Sequence, residues 1–278
     1  MALFSLILVL LLERARLLPG WWRLESWWQE TEQSENDRRI LGDRRWAFVL
    51  PLLPAVATGL LLALLEGFVW GLATLTIWVV VLAAVMGDAS LRDSYLALIR
   101  AGCREDLAAL AHHDDHLREA AAASGATVNS LSTTLFWLNF RYYGAIILLA
   151  ALGSPVLVVA YVSLCHVLAQ RNELAPQAQR AFAMVIHAVD SLLVRIAGLL
   201  YVFVGDFARS FPLWLQSLYH WREAPSLVLG RIATAAADRE ALRHSPLVEA
   251  CHSVTLAKRQ IVGLLVVVAV LTIYGWVI

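Results

Sequence analysis

The chain has 278 residues, of which 60% are hydrophobic and only 16% are charged, and its mean hydropathy is +0.66. A soluble domain is about a quarter charged, so a water-soluble fold of this length would leave large apolar patches exposed. The 22 basic and 22 acidic residues balance, which excludes the basic footprint of a nucleic-acid-binding protein. The three cysteines indicate neither a disulfide framework nor a zinc site. The composition therefore predicts an integral membrane protein.

Apolar segments follow one another along the whole chain. The first, residues 1–12, is too short to cross a hydrocarbon core of about 30 Å, and it lacks the features of a secretory signal. We therefore expect a half-membrane helix there, followed over residues 14–35 by an interfacial stretch in which tryptophans lie among arginines. The longer apolar segments predict spans near residues 46–65, 68–86, 142–168, 182–204 and 260–278.

The predicted fold class is an all-α integral membrane protein that forms one domain over residues 1–278. It has about five transmembrane helices, one or two of them broken, the short N-terminal half-membrane helix and a helical cytoplasmic cap. Pro51 and Pro54 interrupt the first span, and Gly153-Ser154-Pro155 interrupts the third. That last tripeptide is also compatible with a turn between two shorter helices, in which case the span over 182–204 is re-entrant.

The basic residues are distributed asymmetrically. Apart from Arg171, Arg180 and Arg195, every basic residue falls in three polar segments that five crossings place on one side of the membrane. Because cytoplasmic loops are enriched in Lys and Arg, we expect these large loops to be cytoplasmic and the C-terminus to be periplasmic. We also expect one long cap helix over residues 93–123. The cytoplasmic segments are 13–45, 88–141 and 205–259.

Two charges lie inside the predicted fourth span. A charged side chain at the centre of a membrane costs about 2.5–3.5 kcal/mol on insertion scales, yet both Asp190 and Arg195 occur there. Residues five positions apart on an α-helix point in directions that differ by roughly 140° around the helix axis. Each of the two is therefore expected to find a partner on another helix or to line a polar cavity. His187 precedes Asp190 by one turn and shares its face. Ionisable residues at this depth predict a functional site, although a structural charge pair explains the same pattern.

Further polar residues lie at predicted membrane boundaries. Glu13 ends the first helix, where an acid opposes the helix dipole, so it is expected to face a cation such as Arg195 or Arg141. Asn139, Arg141 and Tyr142 lie at the lip of the third span, where an arginine suits a planar carboxylate or phosphate. The sequence identifies no catalytic residue, metal site or cofactor. The predicted ligand-binding residues are Glu13, Asn139, Arg141, Tyr142, His187, Asp190 and Arg195.

Several stretches resemble the AmpE family of bacterial inner-membrane proteins, which are encoded beside the anhydro-muropeptide amidase AmpD and linked to β-lactamase regulation. The resemblance implies a location in the inner membrane of a Gram-negative bacterium, with membrane lipid as a partner. It also implies a signalling role in the antibiotic response and a functional link to AmpD, and it indicates no oligomeric state. The resembling stretches are residues 1–14, 136–142, 194–198 and 271–275.

AmpE proteins in turn look like remote relatives of the CobD/CbiB membrane synthases, which join an amino-alcohol phosphate to adenosylcobyric acid. Glu13 stands where those enzymes carry an acid, but the Gly-Asp-Pro that follows it in them is absent. Arg195 matches the arginine of their Asn-Trp-Ile-Pro-Ala-Arg-Leu motif, whereas Asp190 replaces the asparagine and the Asp-Asp pair is missing. An enzyme that needs two carboxylates for magnesium would be disabled by these changes.

The residues and the resemblance together favour a non-enzymatic sensor or signalling protein. It would bind an anionic small molecule, such as a cell-wall fragment, in a cytoplasm-facing polar pocket and influence β-lactamase induction. One alternative is a diverged CobD/CbiB-like synthase that forms an amide bond. Another is a transporter, which the proline-broken spans suggest, although the spans hold few polar residues and show no repeat symmetry.

Overall fold

A computed structural model describes most of the chain as helix. Every regular element within the described ranges is helical, which confirms the predicted all-α class. The interfacial stretch predicted over residues 14–35 lies, apart from Arg14, outside the described residues. The described residues are 2–14, 49–65, 71–87, 89–152, 154–169, 176–237 and 246–275.

We number the α-helices in chain order and name the shorter 3₁₀ and π turns separately. A 3₁₀ turn over Leu50–Leu52 leads into α2, and a π-helical turn over Phe140–Gly144 joins α6 to α7. The α-helices are α1 Ala2–Arg14, α2 Leu53–Leu65, α3 Leu72–Val85, α4 Ala89–Cys103, α5 Leu107–Ala123, α6 Leu131–Asn139, α7 Ala145–Leu152, α8 Pro155–Ala169, α9 Pro176–Val204, α10 Phe207–Ser217, α11 Pro225–Ala236 and α12 Pro246–Ile273.

The chain divides into two compact units. The first contains residues 1–87, 146–186 and 268–278, and the second contains residues 88–145 and 187–267. Helices α7, α9 and α12 therefore contribute residues to both units. In the first unit, α1 packs against α3, and α8 packs against α2 and α3. In the second unit, α5 packs against α4 and α6, and α11 packs against α6 and α10.

Membrane spans were assessed from helix length and composition. Among the described residues, three stretches are long and apolar enough to cross a membrane: Leu131–Leu152, Pro176–Val204 and Leu247–Ile273. A bent pair, Thr74–Val85 with Ser90–Cys103, adds a fourth if it forms one span. The described part of the chain therefore supports a membrane protein but does not confirm the predicted count of five spans.

The predicted third span, 142–168, is not one straight helix. Helix α7 ends at Leu152 and α8 begins at Pro155, so the chain breaks at the tripeptide where the sequence allowed a turn. The candidate span begins earlier, at Leu131, because the π turn continues α6 without a break. Its start is fixed by Ser130, whose side chain caps the helix reciprocally with Thr133 in a capping box.

Prolines determine several other boundaries. Pro225 and Pro246 each begin a helix, where the missing N–H costs nothing because the first turn leaves its N–H groups unbonded anyway. The predicted last span over 260–278 therefore overlaps a helix that runs from Pro246 to Ile273, and the span predicted over 182–204 lies within α9. Pro212, in contrast, lies inside α10 without ending it.

The helix expected over residues 93–123 is instead two helices, α4 and α5. The break falls at Arg104–Asp106, where Glu105 has a left-handed φ of 57°. Asp106 then begins α5, and its carboxylate accepts a hydrogen bond from the backbone N–H of Ala109 at 3.0 Å. An aspartate at this position satisfies one N–H that the first helical turn leaves unbonded.

Candidate functional site

A buried ion pair links the π turn to α9. Nη1 of Arg141 donates to both carboxylate oxygens of Asp190, at 3.1 and 2.9 Å. The two side chains are only 7% and 6% exposed. The Arg141 guanidinium also lies 5.9 Å from the ring centroid of Trp137, one turn earlier on α6. Asp190 therefore supplies a counter-charge to a cation from another helix.

The π turn determines where Arg141 points. A π turn inserts one extra residue into an α-helix, so the side chains of Arg141 and Tyr142 are rotated away from the positions that a regular continuation of α6 would give them. Arg141 is buried as a result, whereas Tyr142 is half-buried. Single π turns inside α-helices occur frequently at functional sites.

Arg195 lies on the same helix as Asp190 but has different partners. Its Nη1 donates to the backbone carbonyl of Ser191, and its Nη2 donates to the carbonyls of Ser217 at 2.8 Å and His220 at 3.2 Å. The guanidinium carbon also lies 4.0 Å from the ring centroid of Trp221. Ser217 ends α10, and a cation at the end of a helix satisfies carbonyls that lack helical partners. Arg195 thus fixes the end of α10 against α9.

Neighbouring contacts complete this region, which we call the Arg195 site: His187, Arg195, Trp214, His220 and Trp221. The Trp214 indole N–H donates to the carbonyl of Arg195 at 2.8 Å. Nε2 of His187 lies 3.1 Å from the carbonyl oxygen of Trp221, a hydrogen bond that requires a proton on Nε2. His187 and Arg195, two turns apart on α9, therefore both bond to the chain that follows α10.

The Arg195 guanidinium forms no ion pair within the described part of the chain. Although Arg195 is only 5% exposed, no carboxylate in the described ranges lies within 4.0 Å of it. Its Nε is also buried without a hydrogen-bond partner among the same residues. Glu223, in the turn after His220, attracts the guanidinium over a longer distance and forms its ion pair with Arg231 at 3.0 Å. A buried positive charge with an unused donor is the arrangement that favours an anion.

The structure separates the two charges that the sequence places on one helix. In the described structure Asp190 pairs with Arg141 and not with Arg195. The reason is the rotation of about 140° between positions five residues apart, which turns Arg195 towards α10.

Asn139 ends α6 near another polar residue. It lies beside Tyr201 of α9, which contacts Phe136 edge-on with ring centroids 5.4 Å apart. Within the described part of the chain, Nδ2 of Asn139 and the Tyr201 hydroxyl are buried and make no hydrogen bond of good geometry, although the two side chains lie close enough to interact.

Glu13 lies at the end of α1 in the first compact unit, where it is 6% exposed. The other six predicted residues, Asn139, Arg141, Tyr142, His187, Asp190 and Arg195, all lie in the second unit. The predicted convergence of Glu13 with Asp190 and Arg195 stays a prediction.

Sequence reasoning missed the groups that hold Arg195. Trp214 and Trp221 lie in a segment that the sequence suggested only as short amphipathic pieces. The run from Tyr219 to Arg222, which mixes aromatic and basic side chains, was the signal that could have found Trp221. No sequence pattern could have identified the carbonyls of Ser217 and His220 as partners of Arg195, because every residue has a backbone carbonyl.

The chemistry of the site is that of hydrogen-bond donors. The described residues contain no group of three or more His, Cys, Asp or Glu side chains that could hold a metal ion. The Arg195 site instead offers a guanidinium, two imidazoles and the faces of indole rings. Such groups recognise carboxylate, phosphate and flat apolar surfaces.

Comparison with known proteins covers the whole chain. The family described as "Regulatory signalling modulator protein AmpE" matches residues 1–278. "Protein AmpE" of Shigella flexneri is 29% identical over 291 aligned residues, which cover 99% of each chain. No solved structure matches the chain.

Proposed function

This chain belongs to the AmpE family of regulatory signalling modulator proteins, and from that premise we propose that it is a membrane sensor that binds an anionic small molecule at the Arg195 site. A cell-wall fragment is the ligand class that the family's link to β-lactamase induction suggests. The protein would influence induction through the conformation that the bound anion stabilises, and it would not catalyse a reaction.

One observation carries the proposal: Arg195 keeps a buried positive charge that forms no ion pair with a described carboxylate and has only a longer-range attraction to Glu223. An uncompensated charge in a membrane helix is costly, and a structural role alone requires only the hydrogen bonds to Ser217 and His220. Those bonds leave Nε without a partner. An anion that accepted a hydrogen bond from Nε would offset the charge and satisfy the unused donor together.

The surroundings of Arg195 support access for such a ligand. Trp221, which stacks on the guanidinium, is 50% exposed, and His220 is exposed as well. A ligand can therefore approach along the turn after α10 and does not have to cross the helix bundle. Asp190, in the preceding turns of α9, would support the site through its buried pair with Arg141 of the π turn.

We further propose that the protein lies in the inner membrane of a Gram-negative bacterium, with its large loops cytoplasmic and its C-terminus periplasmic. The asymmetric distribution of basic residues supports this orientation. A functional link to the amidase AmpD would follow if the ligand is a muropeptide on which such an amidase acts.

Thermal unfolding of the purified protein with anhydro-muropeptides tests the ligand. A ligand that binds only the folded state stabilises it by about 2.7 kcal/mol at 100 times its Kd. We expect the Tm to rise with ligand concentration in the wild type and the increase to be abolished by Arg195→Ala. Arg118→Ala is the matched control, because Arg118 is a partly exposed arginine of the same unit that pairs with Asp114 and not with a group near Arg195. It should keep the increase.

Arg195→Ala also removes the bonds to α10, so Arg195→Lys provides a second variant that keeps the charge. Partial retention of the Tm increase by this lysine variant would agree with anion binding. An unchanged wild-type Tm with every cell-wall fragment would remove the muropeptide proposal. Equal increases in the wild type and Arg195→Ala would place the ligand elsewhere.

Two alternatives stay predictions. A diverged CobD/CbiB-like synthase requires product formation from an amine phosphate and a carboxylate, together with a need for nucleotide or divalent metal. A transporter requires solute flux in proteoliposomes. Product formation or solute flux that Arg195→Ala abolished would contradict the sensor proposal and support the corresponding alternative.

A further inference from the structure

Helix α10 has two faces of different character. One face packs inward: Ser210 and Ser217 are fully buried, and the Trp214 indole reaches the α9 backbone. The opposite face is exposed and carries no charge. Phe207 is 50% exposed and Leu215 is 40% exposed. The exposed face, which we call the α10 apolar face, consists of Phe207, Ala208, Pro212, Leu215 and Tyr219, with the exposed amide of Gln216 at its edge.

The α10 apolar face continues the surface of a candidate membrane span. Helix α9 ends at Val204, and only Gly205 and Asp206 separate it from α10. Phe203, in the last turn of α9, is 67% exposed. A row of aromatic rings then runs without interruption from the span into α10. The centroid distances along Phe203, Phe207, Phe211 and Trp214 are 6.3, 4.8 and 6.1 Å.

Aromatic and basic side chains lie at the end of this helix. Residues 207–222 contain two arginines, but Asp206 pairs with Arg209 at 2.7 Å and Glu223 follows Arg222, so the charges at the two ends of the helix balance. Arg222 is exposed, and Tyr219 and Trp221 are 86% and 50% exposed at the end of the helix. Tyrosine, tryptophan and arginine are the residues that concentrate at the headgroup layer. An amphipathic helix of this kind inserts its apolar face about 5–10 Å into the boundary between headgroups and acyl chains.

Pro212 is consistent with a hydrated location. Proline has no N–H, so it cannot donate the hydrogen bond that the Ala208 carbonyl would receive in a regular helix. In the hydrocarbon core such a carbonyl has no water to bond, whereas in the headgroup layer water is present. The position of Pro212 therefore favours the interface over the membrane centre.

We propose that α10 is an interfacial helix whose apolar face contacts the headgroup and upper acyl layer of the bilayer next to the end of α9. Lipid is the occupant because the exposed apolar surface is continuous with a candidate membrane span and because tyrosine, tryptophan and arginine side chains lie exposed at its end. The proposal does not depend on the sensor function, since it concerns the outer face of α10 and not the inward-facing Arg195 contacts.

Site-directed spin labelling of the full-length protein in vesicles of phosphatidylethanolamine and phosphatidylglycerol tests this. The native Cys103, Cys165 and Cys251 are replaced by alanine, and single labels are attached at Ala208→Cys and Leu215→Cys. We expect the collision rate with oxygen to exceed that with a water-soluble nickel chelate at both positions. Glu119→Cys, on the exposed surface of α5, is the control, and its label should show the opposite order.

Ala208→Cys is a small change at an exposed position, so a label there still measures the environment of the face even if Leu215→Cys impairs folding. A higher collision rate with the chelate than with oxygen at Ala208 would place the face in water and overturn the proposal. Low rates with both reagents would show that protein covers the face, which overturns it as well.

Discussion

At the scale of single residues, the pair formed by Arg141 and Asp190 shows what a buried charge requires. Each charge is almost completely removed from solvent, and removing one partner of such a pair leaves the other uncompensated. Replacing both partners with apolar residues is often nearly neutral, because the cost of desolvating two charges disappears with them. The pair therefore predicts a distinctive pattern in a double-mutant cycle.

We predict that Asp190→Leu alone destabilises the protein by about 3–5 kcal/mol, since the buried Arg141 loses the carboxylate that it contacts at 2.9 Å. Combining it with Arg141→Leu should recover much of that loss. The measurement is equilibrium unfolding of the four proteins in detergent micelles. Additive losses in the double variant would contradict the assigned pairing.

The exposed pair of Arg118 and Asp114 is the matched control. It has a similar distance of 3.0 Å, but its side chains are 35% and 23% exposed. A pair of this kind, four residues apart on a helix, contributes only about 0.3–0.5 kcal/mol. Asp114→Leu should therefore change stability far less than Asp190→Leu, and a comparable loss would show that burial is not the decisive factor.

At the scale of elements, the corner between α9 and α10 depends on Gly205. A Cβ on Gly205 would overlap the carbonyl oxygen of Ala236 and lie 2.7 Å from its Cβ. The neighbouring N–H of Asp206 donates to that same carbonyl at 2.9 Å. The close approach of α11 to this corner therefore requires a residue without a side chain.

We predict that Gly205→Ala destabilises the protein by about 1–3 kcal/mol, the usual cost of forcing atoms into a packed site. Gly263→Ala provides the control, because its added Cβ would lie 3.5 Å from Val204, an ordinary contact distance. In a helix interior that change should be neutral or stabilising by up to about 1 kcal/mol. The measurement is the Tm of both variants relative to the wild type. Equal changes in Tm for Gly205→Ala and Gly263→Ala would contradict this account.

The start of α10 carries a pH-dependent contribution. The carboxylate of Asp206 accepts hydrogen bonds from the side chain of Arg209 at 2.7 Å and from its backbone N–H at 3.1 Å. These bonds, the side-chain bond first, hold the pKa of Asp206 below its ordinary value of 3.8. Because the folded state favours the charged form, the stabilisation is fully present above that value and is lost as the pH falls through the lowered pKa.

We predict that Asp206→Asn lowers the Tm at neutral pH and that the difference from the wild type narrows as the pH falls below about 4. The measurement is the Tm of both proteins over pH 2–7. A difference that stays constant over this range would show that the charge of Asp206 does not contribute to capping α10.

At the scale of the whole molecule, the distribution of basic residues makes a prediction about orientation. Cys103 is exposed and lies in the basic segment 88–141. In a variant that keeps only this cysteine, an impermeant maleimide should label inverted membrane vesicles and not right-side-out vesicles. A tag added after Ile278 should show the opposite pattern. Labelling of Cys103 from the periplasmic side would overturn the proposed topology.

Local features of the sequence predicted much of the architecture. The high apolar content indicated a membrane protein, and Pro225 and Pro246 coincide with helix starts because proline fits the first turn. The break after Leu152 was one of two alternatives, because a Gly-Ser-Pro tripeptide permits either a kink or a turn. The split between α4 and α5 was missed, since it depends on the left-handed Glu105 and on capping by Asp106, neither of which changes the hydrophobic pattern.

The sequence by itself determined the all-helical class, the membrane character and the presence of two costly charges on one helix, because composition and helical spacing are local properties. Only the tertiary structure decided that Asp190 pairs with Arg141 while Arg195 turns to the end of α10. The choice depends on which helix packs beside each face, on a π turn that re-aims Arg141, and on backbone carbonyls that are the same for every residue type. Which charges pair depends on helices that are far apart in the sequence, so the spacing of residues along one helix cannot predict it.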